Sequence, residues 1–484
     1  MPTNSPTVSL CMIVRDAEDA LPRALESAKP FVDEMIVVDT GSVDNSKQIA
    51  IDQGAKVFDF PWCDDFARAR NESLSHATGD WIFWMDADDV LVEQTGPRLR
   101  QLAAECPDKD QSYLVRVEEE AMTSSGVKRV AGSAQSRFFP NHPDIRFTYR
   151  VHEQVSPALA KLDIPIKLSE ITVRHAHADR SEEGNHRRNE RNLRLLKLDL
   201  EEHPDDAFVL LNIGMTHLYR PDELNLAIDY ISRSIPLFPA KSTTRLNAFM
   251  QLATAYQWSN QPEKQLEACL QARDAFPDDA AILYQIGELS EKKGDIQQAA
   301  LSYQDVLSKG RVHATVFQIR GVHGQAAIKL GRIYQRSGNS PAAESLWLQV
   351  LQRHPDALEV RLALTEYYIT SQRPDDAERQ LEQIPGDSPK MDCIRHALFG
   401  CSQILRENWD QAYNNIMYAH QRGYRSALSL HGLSVALLSL NRYAEAEPVL
   451  RELLQAVPNH PHARQNLELV RRSLGTTVGG FGPQ

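Results

Sequence analysis

Three carboxylates fall within four positions at Asp86, Asp88 and Asp89, directly after the apolar run Trp81-Ile82-Phe83-Trp84-Met85. Oxygen ligands at such spacing suit a hard divalent cation. Taken alone, the pattern is more simply a strand followed by a solvated turn. Other residues change that reading. Arg15 and Asp16 follow the apolar run Val8–Val14, and Asp39 closes the run Glu34–Val38. Arg70 carries a fixed fork of donors that suits a phosphate or a base edge. His175 and His177 lie two apart, so in a strand they share one face.

The elements that must position these residues alternate in type. Val8–Val14 reads as a strand, and Leu21, Leu25, Ala28 and Phe31 lie near helical spacing. Glu34–Asp39 is a second strand, followed by a polar turn over Thr40–Ser46 and a helix to about Gly54. Ala55–Phe60 is a third strand. This βαβαβ order argues for a parallel, right-handed, helix-covered sheet. In open sheets of this kind ligands sit beyond the carboxyl ends of the strands. Arg15, Asp16, Asp39 and Asp86 all lie at such ends. Asp19 and Asp44 are more simply helix caps. Arg68 and Arg70 point about 200° apart on a helix, so only one of them can face a cleft. Further strands are expected at Tyr113–Val117, Ser136–Phe139 and from Ile171 onward.

Composition bounds the classes. The chain has 484 residues, enough for two to four domains, with 42% hydrophobic and 24% charged residues. Its formal net charge of −12 argues against a nucleic-acid binder held by phosphate contacts. No apolar run approaches the roughly 18 residues needed to cross a bilayer, so no transmembrane segment is expected. The first residues lack the basic and apolar regions of a signal peptide. Six scattered cysteines without a C-x-x-C pair read as reduced thiols. The expected location is cytoplasmic.

From about residue 205 no strand pattern returns. Prolines recur near helix ends at Pro204, Pro239 and Pro277, separated by 35 and 38 residues, and again at Pro355 and Pro458. The tetratricopeptide period is about 34. Gly214, Gly287 and Gly331 precede Ala227, Ala299 and Ala343 in the same relative order, as small residues that let paired helices approach. The second half therefore resembles a tetratricopeptide array of about six to eight helix pairs. Such arrays present a concave face suited to extended peptides or partner proteins. The expected domains are 1–180 (α/β), 181–204 (a charged helical linker), 205–475 (the array) and a disordered tail over 476–484.

Val8–Glu18, Val37–Asp44 and Ala69-Arg70-Asn71 running to Trp81–Asp89 together resemble the family 2 glycosyltransferases of GT-A fold, in order and in spacing. The resemblance implies a Rossmann-like, mostly parallel sheet, a nucleotide-sugar donor (usually a UDP-sugar) and a divalent metal, Mn or Mg. It implies that Asp39 contacts the uracil or ribose, that Arg70 contacts the nucleotide, and that Asp86 and Asp88 form the D-x-D. In that motif the last Asp binds metal and the first contacts ribose or metal. Relatives often carry Asn-Glu after the first strand where this chain has Asp16-Ala17-Glu18, so the part that Asp16 plays in the nucleotide turn departs from the pattern. By position Glu153 matches the presumed base, with His152 beside it, although relatives more often show Glu-Asp there. A late histidine as third metal ligand falls on His177, with His175 as the alternative.

The resulting expectation is an inverting transferase moving a sugar to an acceptor, with a protein or peptide engaged by the array as one candidate acceptor. A competing reading makes the chain an interaction scaffold whose transferase-like domain binds nucleotide without turnover. A sugar-nucleotide pyrophosphorylase shares the βαβ start, but it needs a Gly-rich loop where Arg15-Asp16-Ala17-Glu18 has no glycine.

Overall fold

The computed structural model describes residues 5–122, 128–175, 181–311, 321–386 and 388–475. The chain divides into two compact units, Met1–Ala268 and Cys269–Gln484.

The first unit begins with β1 (Val8–Val14), α1 (Leu21–Ala28), β2 (Glu34–Asp39), α2 (Ser46–Asp52), β3 (Lys56–Asp59), α3 (Phe66–Ser75), β4 (Trp81–Trp84), β5 (Asp89–Leu91) and α4 (Pro97–Glu105). It continues with β6 (Ser112–Met122), β7 (Lys128–Pro140), α5 (Ser156–Lys161), β8 (Ile166–His175) and α6 (Glu182–Glu202). The strands form one mixed sheet in the order β3-β2-β1-β4-β7-β6-β8-β5. β3, β2, β1 and β4 are mutually parallel, and β7 then joins β4 antiparallel. β6 lies antiparallel to β7 and parallel to β8, and β5 closes the order antiparallel to β8.

The apolar run of β1 is covered on both faces, as parallel strands under helices require. Leu10, Met12 and Val14 join Leu21 and Leu25 of α1 in one core, whereas Cys11 joins Ile36, Ala67 and Leu74 in the other. β4 alternates in the same way: Trp81 and Phe83 fill the first core, and Ile82 and Trp84 the second. This period of two aims Trp84 at the side occupied by α3.

Helix α6 packs against the sheet unit through its apolar stripe, where Leu193, Leu195 and Leu196 meet Val151. Asp199 of α6 accepts the Arg150 amide at 2.9 Å, and Arg194 makes two 2.7 Å bonds to Asp64. Helices Ala207–Leu218, Leu224–Ser234 and Thr243–Trp258 complete the first unit, and Pro262–Ala275 crosses the division between the two.

The second unit is built from antiparallel-paired helices, among them Ala280–Lys293 with Ile296–Lys309, Val322–Arg336 with Ser340–Arg353, and Pro389–Leu405 with Trp409–Gln421. One rule recurs. A glycine in the first helix lies under a large side chain of the second, 16 positions on: Gly287 under Tyr303, Gly331 under Trp347, Gly400 under Ile416. A Cβ at Gly287 would lie 2.6 Å from the Tyr303 ring, so a larger residue would force the helices apart. Side-chain caps at Asp279, Asp295, Asn339, Ser388 and Ser426 satisfy first-turn amides of five of these helices.

Candidate active site

The carboxyl ends of β1, β2 and β4 carry the first group of residues. At the end of β2, Asp39 is 4% exposed. Its Oδ1 accepts the amides of Gly41 (2.9 Å) and Ser42 (3.0 Å), a tight turn that Gly41 makes possible at φ +103°. Its Oδ2 is buried without a hydrogen-bond partner. Asp16, at the end of β1, adopts φ +50° and accepts the Val43 amide at 2.8 Å, while its own amide donates to Ser42 Oγ at 3.0 Å. Asp16 thus ties the first loop to the second. Glu18 and Asp44 extend the tie, each accepting an amide from the opposite loop.

Arg70 lies on the buried face of α3 with Ala67, Ser73 and Leu74, whereas Arg68 is exposed. The Asp65 side chain starts this helix by accepting the Arg68 amide at 2.8 Å. Arg70 donates from Nη2 to Asp86 Oδ1 at 2.6 Å and from Nε to Glu153 Oε1 at 2.5 Å. Both anions raise its pKa against the opposing effect of burial. A second guanidinium, Arg137 of β7, is 1% exposed; it donates to Asp89 Oδ2 and, at 3.3 Å, to Asp86 Oδ2. Both guanidinium carbons stand 4.2 Å from the centroid of the Trp84 ring. The indole of Trp84 is itself fixed by a 2.8 Å bond from Nε1 to the Ser136 carbonyl. Burial alone would raise the Asp86 carboxyl, but Arg70 and Arg137 outweigh it and hold it at about 2.

The third group comes from the β5–β8 pairing. Asp89 and His175 are direct cross-strand partners, and Asp89 is fully buried. His175 Nδ1 lies 2.9 Å from Asp89 Oδ1, and its Nε2 faces Asp88 Oδ2 at 3.4 Å. The Asp89 hydrogen bond, reinforced by the charges of Asp88, Asp89 and Asp86, pushes the imidazole up to about 9. Burial pushes Asp88 up to about 6, with the negative Asp86 and Asp89 adding to the effect and His175 opposing it. Asp88 is therefore a carboxylate short of positive charge.

Asp86, Asp89 and His175 bring ligand atoms within 4.8 Å of one another. The oxygens of Asp89 are nevertheless engaged, Oδ1 by the imidazole and Oδ2 by Arg137 and the Asp86 amide. That bonding suits an orienting group, which fixes the ring so that Nε2 points outward. Asp88 Oδ2 and His175 Nε2 face each other at 3.4 Å, and neither atom has a further hydrogen-bond partner among the described residues. Carboxylate and imidazole donors fit Mn or Mg with coordination places left for phosphate oxygens and water.

Glu153 and His152 sit in a tight turn where Thr148 and Gln154 exchange backbone bonds of 3.0 and 3.1 Å. Tyr149 and His152 there adopt φ +72° and +57°, a left-handed conformation that side chains rarely take. The turn is pinned by α3, whose Phe66 amide donates to the Arg150 carbonyl at 2.8 Å, and by Asp199 of α6. It turns Glu153 inward to Arg70, and it leaves His152 an exposed residue whose imidazole is still withdrawn enough from water for burial to push its pKa down.

Of the residues singled out in the sequence, Arg70, Asp86, Asp88, Glu153 and His175 are thus brought together, with Asp39 and Asp16 in the adjacent loops. His177 lies outside the described residues. Two participants carried no assigned role in the sequence reading. Arg137 is a charge inside the apolar run Ser136–Phe139, and a buried charge demands a partner. Asp89 was visible as the third carboxylate, but its pairing with His175 depends on strand register.

Comparison with known proteins places these residues in context. Residues 9–136 match the family described as glycosyl transferase family 2. Residues 337–397 and 426–456 match tetratricopeptide repeat families. A TPR repeat-containing protein of Synechococcus elongatus is 39% identical over 213 residues, covering 43% of this chain and 51% of that protein. The SPbeta prophage-derived glycosyltransferase SunS of Bacillus subtilis is 26% identical over 246 residues, covering 48% of this chain and 54% of that protein. A solved tetratricopeptide repeat protein from Parabacteroides merdae is 15% identical, with a TM-score of 0.41, over 55% of this chain and 98% of its own. The chain spans about half the length of the curated relatives it matches.

Proposed function

We propose that this chain, which carries a glycosyl transferase family 2 domain toward its N-terminus and tetratricopeptide repeats toward its C-terminus, is a metal-dependent glycosyltransferase using a UDP-sugar. The observation that carries the reading is the Asp88–His175 pair, held by Asp89 and set beside the paired Arg70 and Arg137 at the carboxyl ends of the parallel strands.

Asp88 and His175 Nε2 would hold a divalent ion, with Asp86 beside them. When bound, the ion neutralises charge on the departing diphosphate. Arg70 and Arg137 keep Asp86 ionised and in place. Asp39 reads the base. Its unpartnered Oδ2 can accept only from a donor, which suits the imide N–H of uracil and not the corresponding acceptor nitrogen of cytosine. Asp16 shapes the nucleotide loop by holding it to the loop after β2. Glu153 and His152 are the candidate bases for the acceptor. Oε1 of Glu153 is taken by Arg70, so a proton from the acceptor would go to Oε2 or to the neighbouring imidazole. The repeat array is the recognition surface for a protein or peptide acceptor.

The test is UDP release from a panel of nucleotide sugars with Mn or Mg. Release from a UDP-sugar supports the reading. No release from any donor, with cell extract as acceptor source, would point to a nucleotide-binding scaffold instead. Asp88→Ala should abolish metal-dependent UDP binding, and unchanged binding would sink the metal assignment. Glu153→Gln and His152→Ala separate the two bases, since only the true base should lose transfer while keeping UDP binding.

A further inference from the structure

A second set of potential metal ligands lies far along the chain from the cleft residues, near the end of the second unit. His431 sits in helix Ala427–Ser439. His460 and His462 belong to the segment Val457-Pro458-Asn459-His460-Pro461-His462, which joins helix Tyr443–Ala456 to helix Ala463–Ser473. The ring centroids of His431 and His460 are 4.8 Å apart, and those of His431 and His462 are 6.4 Å apart.

The hydrogen bonding here is incomplete. Nδ1 of His431 and Nδ1 of His460 are both buried without a partner. A buried polar atom left unpaired costs about 1–3 kcal/mol, so two on adjoining rings call for a common ligand. Burial and the neighbouring imidazoles push His431 below the ordinary histidine value; burial and His462 do the same for His460. Neutral imidazole is the form that ligates metal.

The spacing fits one ion. With a zinc–nitrogen bond of about 2.0–2.1 Å, two imidazoles on a tetrahedral ion have ring centres about 5 Å apart. The His431–His460 pair already meets this. His462 needs to close by about 1.4 Å on the same geometry, and it is an exposed residue.

We infer that His431, His460 and His462 form a binding site for a borderline divalent transition metal such as zinc, three imidazoles with a fourth position open to water. The site would staple the helix bearing His431 to the connection before the last helix.

Zinc titrated calorimetrically into the full-length Asp88→Ala chain, whose cleft site is crippled, tests this. One zinc should bind per chain at micromolar affinity, and zinc should raise Tm. Adding His462→Ala, an exposed position that leaves folding intact, should weaken binding at least tenfold and remove the Tm rise. His431→Ala should do the same. Failure of the Asp88→Ala chain to take up zinc, or a loss under tenfold with His462→Ala, would overturn the inference. Neither result bears on UDP release by the unsubstituted chain.

Discussion

Charge is handled in opposite ways by the cleft and by the repeat array. In the cleft, Arg70 and Arg137 are buried and paired with Asp86, Glu153 and Asp89, with Gln135 accepting the remaining Arg137 Nε bond at 2.9 Å. In the array, ion pairs ride at the rim, and the one arginine buried there among the described residues, Arg361, bonds to neutral acceptors on Gln380, Gln383 and Pro355. Arg373 donates to Glu344 at 2.7 Å, yet 40% of its side chain stays exposed. The core of the array is instead a mechanical fit of glycines under large side chains. The cleft therefore holds unfavourable contacts that a ligand can relieve: a carboxylate pushed up to about 6, an unpaired Asp39 oxygen, a turn in left-handed conformation. The array's repeating fit is where its stability resides.

That contrast can be broken by substitution. Arg70→Ala should destabilise the first unit by about 3–5 kcal/mol, because it strands Asp86 and Glu153 as buried charges. Arg373→Ala should cost about 1 kcal/mol or less, as exposed pairs do. Denaturant unfolding of the two variants compares them directly, and equal losses would erase the distinction.

The pH dependence of the metal-free protein sharpens it next. The His175 pKa is raised from 6.5 to about 9 in the fold. Its contribution is fully present below pH 6.5 and is lost as pH rises through 9, up to about 3 kcal/mol. Asp88 acts with the same sign at lower pH. Its raised pKa favours the protonated form in the fold, so stability falls as pH rises from about 4 through 6. Asp89→Asn should flatten the fall between pH 6.5 and 9, measured as the difference in unfolding free energy between those values. An unaltered slope would remove Asp89 from its orienting role.

In the array, Gly331→Ala should cost about 1–3 kcal/mol by overpacking against Trp347, despite the better helix propensity of alanine. A thermal melt with unchanged Tm would contradict the close approach. A comparably small effect is expected of Asp295→Ala, which removes a 3.0 Å cap to the Gln298 amide and should lower stability by about 1 kcal/mol.

Much of the fold is legible in the chain because its signals are local. Val8–Val14, followed by Arg15 and Asp16, and Glu34–Asp39, ending in an acid, are apolar runs, and both are strands with those bounds. The period of helix pairs, with small residues facing large ones, points to the array in the same way. The site is legible to the extent that strand ends are: Asp39 and Asp86 lie at carboxyl ends in any βαβ arrangement. Arg137 and Asp89 escaped assignment for a different reason. β7 runs antiparallel to β4, and β5 joins the far end of the sheet by pairing with β8. Neither pairing leaves a periodic mark in the sequence.

Local sequence pattern did not suffice for β5 or α4, but it did for β1 to β4, for the acids at or just beyond their ends, and for the helical repeat that follows. These rest on periodicity and composition, which act over a few residues. Only the tertiary structure decided that Arg70 spends its donors on Asp86 and Glu153, that Asp89 holds His175, and that His431 meets His460 and His462 across an intervening helix. Such contacts depend on strand register and helix packing, where a shift of one residue turns a side chain to the opposite face and no local pattern records the choice.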